Sequence, residues 1–411
     1  MRLQKTALYS EQKKEKPKKS RAGVWLIVCV LLIGLAKLSF GDMKQKVIQS
    51  SGQEFLVDTD VQYFLNIPIN HEIIIGIIDT GVDYNHPLIQ ESMWENGDEV
   101  EGNGLDDDNN GYVDDIRGWN FANNTNDPID IDGHGTHVAG IAAGKQSVEN
   151  NFIGVNPSAK IMNLRIFDED GNFTGANVAD AIRYAVDNGA KIINCSFGAS
   201  PGFIDEDIVK LALQYAIDNG VIVVAATANT SNNYVRYPEY YPGVITVSNL
   251  DILNGHLGHE DYYIYHSGYG SHVDFCAYGG NIYSLDLDNS FRRLTGTSMS
   301  SPLIAGAISR LLAYNNTLSK EQLYNLLADY SIQLSGSEGG KTVNGRIDFE
   351  ALSKVNATTK ETSVEVTIGS EKYVLVFDGS KDISTGQDYR LSLKYLNKEG
   401  QQYSIHQEID L

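Results

Sequence analysis

The sequence predicts an α/β domain built on a doubly wound parallel sheet with helices on both faces, followed by a small all-β module. Short apolar runs bounded by turn residues, which are typical of buried parallel strands, recur at 73–79, 161–166, 191–195, 221–226 and 243–247. Helical patterns lie between these runs, at Val138–Gly144, Ala176–Asn188 and Asp205–Asn219. Strands that alternate with helices indicate a parallel sheet that is covered on both sides.

The alternation ends near Val355, after a helical pattern at 301–314 and the segment GRIDFEAL. Beyond it, four stretches alternate as β-strands do, with turn residues between them: VEVTIG, YVLVFDG, YRLSLKYL and YSIHQEI. We therefore expect one α/β domain over 41–355, with its core at 55–355, and a C-terminal β module over 356–411.

Length and composition limit the class of protein. The 411 residues suit one large α/β domain with appendages, and 42% hydrophobic residues can bury a sizeable core. The formal net charge of −21 argues against nucleic-acid binding, because so acidic a surface repels phosphates. Cys29, Cys195 and Cys276 are too few for a disulfide framework or a cysteine-based zinc site.

The N-terminus carries an export pattern. Residues 1–21 are rich in lysine and arginine, as in a cytoplasmic basic segment, and residues 22–40 contain a nearly uncharged apolar run. This run is a cleaved signal peptide or a retained membrane anchor, and both interpretations stay open. Either one places the rest of the chain outside the cytoplasm, secreted or held at the outer face of the membrane. The scarcity of cysteine in an exported protein fits a bacterial source.

Three short motifs carry the candidate chemistry. Asp79-Thr80-Gly81 ends the first strong strand, and His134 lies in the glycine-rich turn DGHGTHVAG that leads into a helix. Ser298 lies in GTSMSSP, immediately before another helix. Acyl transfer needs a hydroxyl nucleophile, an imidazole to take its proton and a carboxylate to orient that imidazole. Asp79, His134 and Ser298 supply these groups in the order found in one family of catalytic triads.

Each motif alone has an ordinary structural interpretation: a turn, a metal-binding or structural histidine, and a helix N-cap. Together, and with these flanking residues, they resemble the subtilisin-like serine proteases, the subtilase family, over about residues 55–355. The resemblance implies a subtilisin-like fold and a serine endopeptidase, a hydrolase of peptide bonds. It also implies that Asn229, after the run VIVVAA, donates its amide to the oxyanion of the reaction. The family usually has glycine where this chain has Ala228, so the loop is expected to differ there if that position requires a glycine conformation.

The same resemblance assigns a primary specificity pocket. Its walls match two segments, Ser196-Phe197-Gly198 and Ala226-Thr227-Ala228. Where the family commonly has a small residue at the pocket floor, this chain has Arg236, in the stretch Val-Arg-Tyr-Pro. A guanidinium at that place predicts cleavage after Glu or Asp, because it can pair bidentately with a carboxylate. The alternative is that Arg236 is a solvated loop residue.

An acidic insertion separates Asp79 from His134 and predicts a calcium site. Between Asp98 and Asp132, Arg117 is the only basic residue. Oxygen ligands recur at alternate positions around a glycine, as at the start of an EF-hand loop: Asp106, Asp108, Asn110, Tyr112 and Asp114. The bidentate glutamate that would complete such a loop is missing, and a flexible acidic loop is the alternative. Asp127 and Asp130 are weaker candidates for further ligands.

These observations favour an exported, monomeric serine endopeptidase that acts on peptide or protein substrates and is stabilised by structural Ca²⁺. The stretch before Ile73 is shorter than a folded propeptide of this family, and the size and pocket resemble leader-removing proteases of lantibiotics and related bacteriocins, including the cytolysin-activator type. Glu95 is a candidate self-processing site, with Glu99 and Glu101 as rivals. Two other functions stay open: a broad-specificity secreted protease, and a catalytically silent surface-binding module with this fold.

Overall fold

The computed structural model describes residue 65, residues 67–353 apart from 201, 231–232, 234–235, 253–261, 265–266 and 335–340, and four C-terminal strands. The predicted basic segment and apolar run, residues 1–40, lie outside the described residues. In the part that is described, no helix has both the length and the apolar character needed to cross a membrane.

The strands alternate with helices over most of the chain. In chain order the strands are β1 (Ile74–Asp79), β2 (Gly118–Asn120), β3 (Lys160–Arg165), β4 (Ile192–Cys195), β5 (Ile222–Ala226), β6 (Ile245–Ile252), β7 (Tyr262–Ile264), β8 (Phe275–Tyr278), β9 (Ile282–Asp286), β10 (Ser290–Leu294), β11 (Ser331–Ile332) and β12 (Arg346–Ile347). The α-helices are α1 (His134–Ala143), α2 (Gly175–Asp187), α3 (Glu206–Asp218), α4 (Thr297–Tyr314), α5 (Lys320–Asp329) and α6 (Phe349–Ser353).

The central sheet has the strand order β11-β12-β8-β6-β5-β4-β1-β3-β2, with β7 added to β6. Its neighbouring strands run parallel except for β11 and β7, which are antiparallel to their partners. Strands β9 and β10 form a separate antiparallel hairpin. The predicted parallel α/β sheet is therefore confirmed.

Apolar side chains alternate between the two faces of the sheet and form a core on each. Ile75 and Ile77 of β1 belong to the core under α1 and α4, whereas Ile78 belongs to the core under α2 and α3. Strand residues point to opposite faces in turn, so a strand with apolar residues at nearly every position must be covered on both sides. Helices lie on both faces, as the sequence predicts.

The C-terminal region contains the four predicted strands, β13 (Thr362–Ile368), β14 (Glu371–Phe377), β15 (Asp388–Leu396) and β16 (Gln402–Asp410). They pair as two antiparallel hairpins, β13 with β14 and β15 with β16. The sequence did not predict the hairpin of β9 and β10 or helix α5. The hairpin strand Ser-Phe-Arg-Arg-Leu has an irregular mixture of exposed and half-buried residues, which obscures a strand pattern.

Two glycines with positive φ provide a matched test of how closely the strands are packed. Gly118 has a φ of 113°, and a Cβ there would lie 2.0 Å from the backbone oxygen of Asn163, whereas Gly171 has a φ of 77° and open space around it. Gly171→Ala should lower the free energy of unfolding by about 1–2 kcal/mol, the cost of the left-handed backbone conformation. Gly118→Ala should lower it by about 1–3 kcal/mol more, because the strands must separate. Chemical denaturation measures both, and equal losses would contradict this account.

Candidate active site

The site lies at the carboxyl ends of the parallel strands. Asp79 is the last residue of β1, and Ser196 directly follows the neighbouring strand β4. From β1 the chain continues to β2 and β3, which both lie on one side of β1, and from β4 it continues to β5 on the other side. Such a switch point opens a crevice at the carboxyl edge of the sheet, which is where α/β proteins hold their ligands.

His134 is the first residue of α1 and contacts Asp79 directly. Its Nδ1 donates to Asp79 Oδ1 at 2.7 Å, and the same oxygen accepts the backbone N–H of Thr80 at 2.8 Å. Asp79 is buried, while 27% of the His134 side chain is exposed. The carboxylate thus fixes the imidazole from the protein side and leaves its other edge towards the crevice.

Ser298 is the second residue of α4, a helix that is buried over nearly its whole length. The Ser298 hydroxyl donates to the Ser196 backbone oxygen at 2.9 Å, and among the described residues it makes no hydrogen bond to His134. Pro302 has no N–H to offer the Ser298 carbonyl four residues earlier, and that carbonyl accepts the Ser196 hydroxyl at 2.9 Å instead. The Ser298 N–H lies in the first turn, where backbone donors have no partner inside the helix.

Asn229 reaches the same helix end from the loop after β5. Its Oδ1 accepts the Thr297 N–H and the Thr297 hydroxyl, both at 2.9 Å, so the orientation of the amide is fixed. These contacts use Oδ1 and do not involve the Nδ2 donor. Ala228 is not among the residues with positive φ, so its backbone does not require the glycine that the family usually has there.

The charges around His134 set its proton affinity. Burial lowers its pKa, but the charge of Asp79 and the hydrogen bond from Nδ1 outweigh this effect, and the pKa of His134 is raised above its ordinary value. Asp132 and Asp130 raise it further. The imidazolium is therefore stabilised in the position where it would form during proton transfer.

The two predicted pocket walls lie side by side. Ser196, Phe197 and Gly198 follow β4, and Ala226, Thr227 and Ala228 end β5 and its extension, which is hydrogen-bonded to β4. Phe197 packs edge-on against Phe167 and Phe173. All three residues of the second wall are buried.

Arg236 lies against the first of these walls. Ala199 and Tyr237 exchange backbone hydrogen bonds of 2.9 and 3.0 Å, which hold the arginine segment beside Gly198. A Cβ on Gly198 would be 3.4 Å from both Cβ and Cδ of Arg236. The half-buried arginine is thus in contact with the predicted pocket wall, which a loop residue extended into solvent would not be.

Glu239 is a buried acid beside the pocket that the sequence did not single out. Its Oε1 accepts the Arg236 N–H at 3.1 Å, and its Oε2 has no hydrogen-bond partner. Burial raises the pKa of Glu239 to about 8, although the Arg236 N–H and guanidinium act in the opposite direction. The raised pKa favours the neutral form of Glu239, which would not compensate the charge of Arg236.

The acidic insertion gathers carboxylates at one point. Oxygen atoms of Glu99, Asp106 and Asp108 lie within 4.8 Å of one another. Carboxylate oxygens at this spacing are the donors that Ca²⁺ prefers, and their mutual repulsion is relieved by a bound cation. The donor set therefore fits calcium in type and spacing, and a bound ion would replace some of the hydrogen bonds that these carboxylates accept within the loop. Glu99 is a ligand candidate that the sequence pattern did not include.

The remaining predicted ligands are oriented differently. Asn110 donates to Asp108 and Asp115, and the Tyr112 ring packs against Trp119, so Tyr112 could offer only its backbone carbonyl. The carboxylate of Asp114 accepts the N–H groups of Asn103 and Gly104.

The two weaker candidates have other partners. Asp127 accepts the Tyr84 hydroxyl, and both oxygens of Asp130 accept hydrogen bonds from residues around His134. Neither Asp127 nor Asp130 joins the cluster.

Comparisons with known proteins agree with this geometry. The Subtilase family model matches residues 70–363. Thermitase of Thermoactinomyces vulgaris is 36% identical over 60% of this chain and 76% of its own length. Subtilisin-like protease 1 of Plasmodium berghei is 34% identical over 67% of this chain, which spans about half (48%) of that relative. The crystal structure of a cold adapted subtilisin-like serine proteinase matches with a TM-score of 0.51 and 27% identity, over 67% of this chain and 87% of that one.

The contact between Asp79 and His134 predicts a measurable change in proton affinity. Asp79→Asn should lower the pKa of His134, because the imidazolium loses its nearest anion. Asp207→Asn, which changes a carboxylate that is 91% exposed on α3, should leave it unchanged. A histidine NMR titration distinguishes the two variants. An unchanged His134 pKa in Asp79→Asn would contradict the geometry.

Proposed function

The chain belongs to the subtilase family of serine proteases, and from that premise we propose that it is an exported, calcium-stabilised serine endopeptidase that cleaves a restricted set of peptides after acidic residues. The observation that carries the proposal is the 2.7 Å contact between His134 and Asp79 at the crevice into which Ser298 and Asn229 converge. His134 corresponds to the proton acceptor and Asp79 to its orienting carboxylate. Ser298 corresponds to the nucleophile and Asn229 to the oxyanion donor.

The first half of the reaction forms an acyl-enzyme. The Ser298 hydroxyl turns from the Ser196 carbonyl towards the free nitrogen of His134, a rotation that substrate binding would favour. His134 accepts the proton while the serine oxygen attacks the scissile carbonyl. Asp79 holds the imidazole and stabilises its cationic form, and His134 then gives the proton to the leaving amine.

The second half hydrolyses the acyl-enzyme and uses the same groups. His134 takes a proton from water, which attacks the ester, and returns that proton to Ser298. In both halves negative charge develops on the former carbonyl oxygen. The Asn229 amide and the Ser298 N–H would donate to it, and the contacts of Asn229 Oδ1 with Thr297, which fix the other end of the amide, support this role.

Arg236 supports a preference for glutamate or aspartate before the cleaved bond. Its aliphatic stem packs on Gly198 of the predicted pocket wall, and its charged head would pair with a substrate carboxylate. A neutral side chain would leave that guanidinium unpaired in a partly buried pocket. This difference is what separates a processing enzyme from a broad-specificity protease.

The export pattern and the acidic preference together favour a peptide-processing role, such as removal of a leader from a bacteriocin precursor. Within the acidic insertion, Glu95 is exposed and Gly97, two residues later, has open space around it, which supports Glu95 as the self-processing site. Asn96 between them is buried and donates to Asp108 and Asp115, so cleavage after Glu95 would require this turn to open. Glu99 is less suited, because both of its oxygens accept backbone N–H groups.

The carboxylates of Glu99, Asp106 and Asp108 would hold the calcium ion, whose role is to stabilise the insertion. The ion would neutralise charge that otherwise opposes folding of the segment between Asp79 and His134. It takes no part in bond cleavage.

Cleavage of a peptide library by the exported part of the chain tests the proposed chemistry. Ser298→Ala should abolish turnover to background, and Asn229→Ala should lower kcat by about 10²–10³ with little change in KM, because the oxyanion exists only in the transition state. Full activity of Ser298→Ala would contradict the mechanism. No cleavage by the wild type in the presence of calcium would favour the surface-binding alternative.

The same library tests Arg236. Arg236→Ala should lower kcat/KM for Glu and Asp substrates by roughly 10- to 100-fold, the equivalent of a lost hydrogen bond to a charged group of about 1.5–3 kcal/mol. It should raise kcat/KM for leucine substrates, because these no longer leave a guanidinium unpaired. Arg236→Lys should retain part of the preference, since the charge remains but the bidentate geometry is lost. Arg183→Ala, on the exposed side of α2, is the control. Cuts scattered over all residues in the wild type would contradict an acidic preference.

Calcium dependence is tested by thermal unfolding. A chelator should lower the Tm, since calcium at about 100 times its Kd would contribute about 2.7 kcal/mol of stability. Asp106→Asn should lower the calcium-dependent part of the Tm, and Asp170→Asn, an exposed acid in another turn, should retain it. A Tm that is indifferent to calcium would contradict the site.

A further inference from the structure

We propose that Asp130 is a positioning residue that locks the strand carrying Asp79 to the helix carrying His134. The inference rests on the proposed function of these two residues. Asp130 is buried, at 4% exposure, and lies in the loop four residues before His134. Its carboxylate accepts five hydrogen bonds from residues on both sides of the site.

One oxygen of Asp130 joins the two catalytic segments. The Thr80 hydroxyl, from the residue directly after Asp79, donates to Oδ1 at 2.9 Å. The N–H groups of Asp132 and Gly133, directly before His134, donate to the same oxygen at 3.0 Å each. A single atom therefore accepts hydrogen bonds from both the end of β1 and the residues that precede α1.

The other oxygen fixes the first turn of α1. The N–H of Thr136 donates to Oδ2 at 2.9 Å and its hydroxyl at 2.6 Å. The Thr136 hydroxyl in turn accepts the N–H of Asp83, four residues after Asp79. The carboxylate thus accepts hydrogen bonds from the first turn of α1, the helix that carries His134. The Thr136 hydroxyl connects this turn to Asp83, in the segment that follows β1.

Thr80 closes the network from the β1 side. Its hydroxyl accepts the Gly135 N–H at 2.9 Å while donating to Asp130. The backbones come so close here that a Cβ on Gly135 would lie 2.0 Å from the Gly81 oxygen. Small shifts of either segment would therefore change the contact between Asp79 and His134.

Only a carboxylate satisfies all of these donors. The two oxygens of Asp130 together accept five hydrogen bonds, and neither needs to donate. An asparagine has one acceptor oxygen, and its amide would leave the Thr136 N–H without an acceptor. It would also remove a buried negative charge.

The lost charge gives the positioning role a readout beyond stability. The charged and titratable groups around His134 are Asp79 on β1, Asp130 and Asp132 in the loop, His137 on α1, and the ion pair of Asp286 with Arg292 on the hairpin beside Gly133. Removing the Asp130 charge should lower the pKa of His134. His134 must be neutral to accept the serine proton, so the acidic limb of the activity profile should move to lower pH.

The test compares Asp130→Asn with Asp127→Asn, which changes a neighbouring carboxylate outside the network. Asp130→Asn should lower kcat by about 10- to 100-fold with KM changed less than about 2-fold, because misplacement of the catalytic pair affects the transition state more than substrate binding. It should also shift the acidic limb of kcat to lower pH. Asp127→Asn should retain the wild-type kcat and the wild-type pH profile.

Variants of Thr80 test the same network from the β1 side. Thr80→Val should lower kcat similarly, and Thr80→Ser, which keeps the hydroxyl, should have a kcat close to that of the wild type.

A histidine NMR titration of the same full-length proteins decides the proposal without any substrate. A lower pKa of His134 in Asp130→Asn, with the Asp127→Asn value unchanged, would support it. An unchanged pKa, or wild-type kcat in Asp130→Asn, would overturn it. If the wild type cleaves no peptide, the proposed function fails, and the titration alone still tests the link between Asp130 and His134.

Discussion

The hydrogen bond between His134 and Asp79 is the contact on which the rest of the site depends. It joins the end of a buried strand to the start of a helix, 55 residues apart in the chain, at 2.7 Å. The parallel sheet holds the strand end, and the core under α1 and α4 holds both helices that begin at the crevice. Packing of the apolar core thus fixes the distance between these two polar side chains. A catalytic proton acceptor must be held in the correct position before its pKa can affect the reaction rate.

Much of the fold and the catalytic groups could be predicted from the sequence, because their signals are local. Runs such as residues 73–79 can be satisfied only by burial on both faces, and the motifs around Asp79, His134 and Ser298 occur where strands end and helices begin. The ends of the predicted strands agree with the structure to within about two residues, except that β6 continues to Ile252, five residues beyond the predicted run. The His134 helix begins four residues before the predicted pattern, since its first turn is glycine-rich rather than apolar.

The rest depends on contacts between distant residues, which no single-chain pattern records. Asp130 looked like one more acid of the insertion, yet its carboxylate turns away from the acidic cluster to bind donors from Thr80 and Thr136. Glu99 joins Asp106 and Asp108 only because the insertion folds back on itself. Glu239 has no recognisable sequence signal, because its link to the pocket is a hydrogen bond from the Arg236 backbone N–H that only the folded loop forms.

Covalent labelling tests the central claim, that these elements assemble a working nucleophile at Ser298, most directly. The protein would be incubated with a fluorophosphonate, which reacts with activated serine hydroxyls, and the adduct would be located by peptide mass spectrometry. The account predicts one adduct, on Ser298, that is lost in His134→Ala and is strongly slowed in Asp79→Asn. An adduct on another residue, or labelling of Ser298 that does not depend on His134, would contradict it.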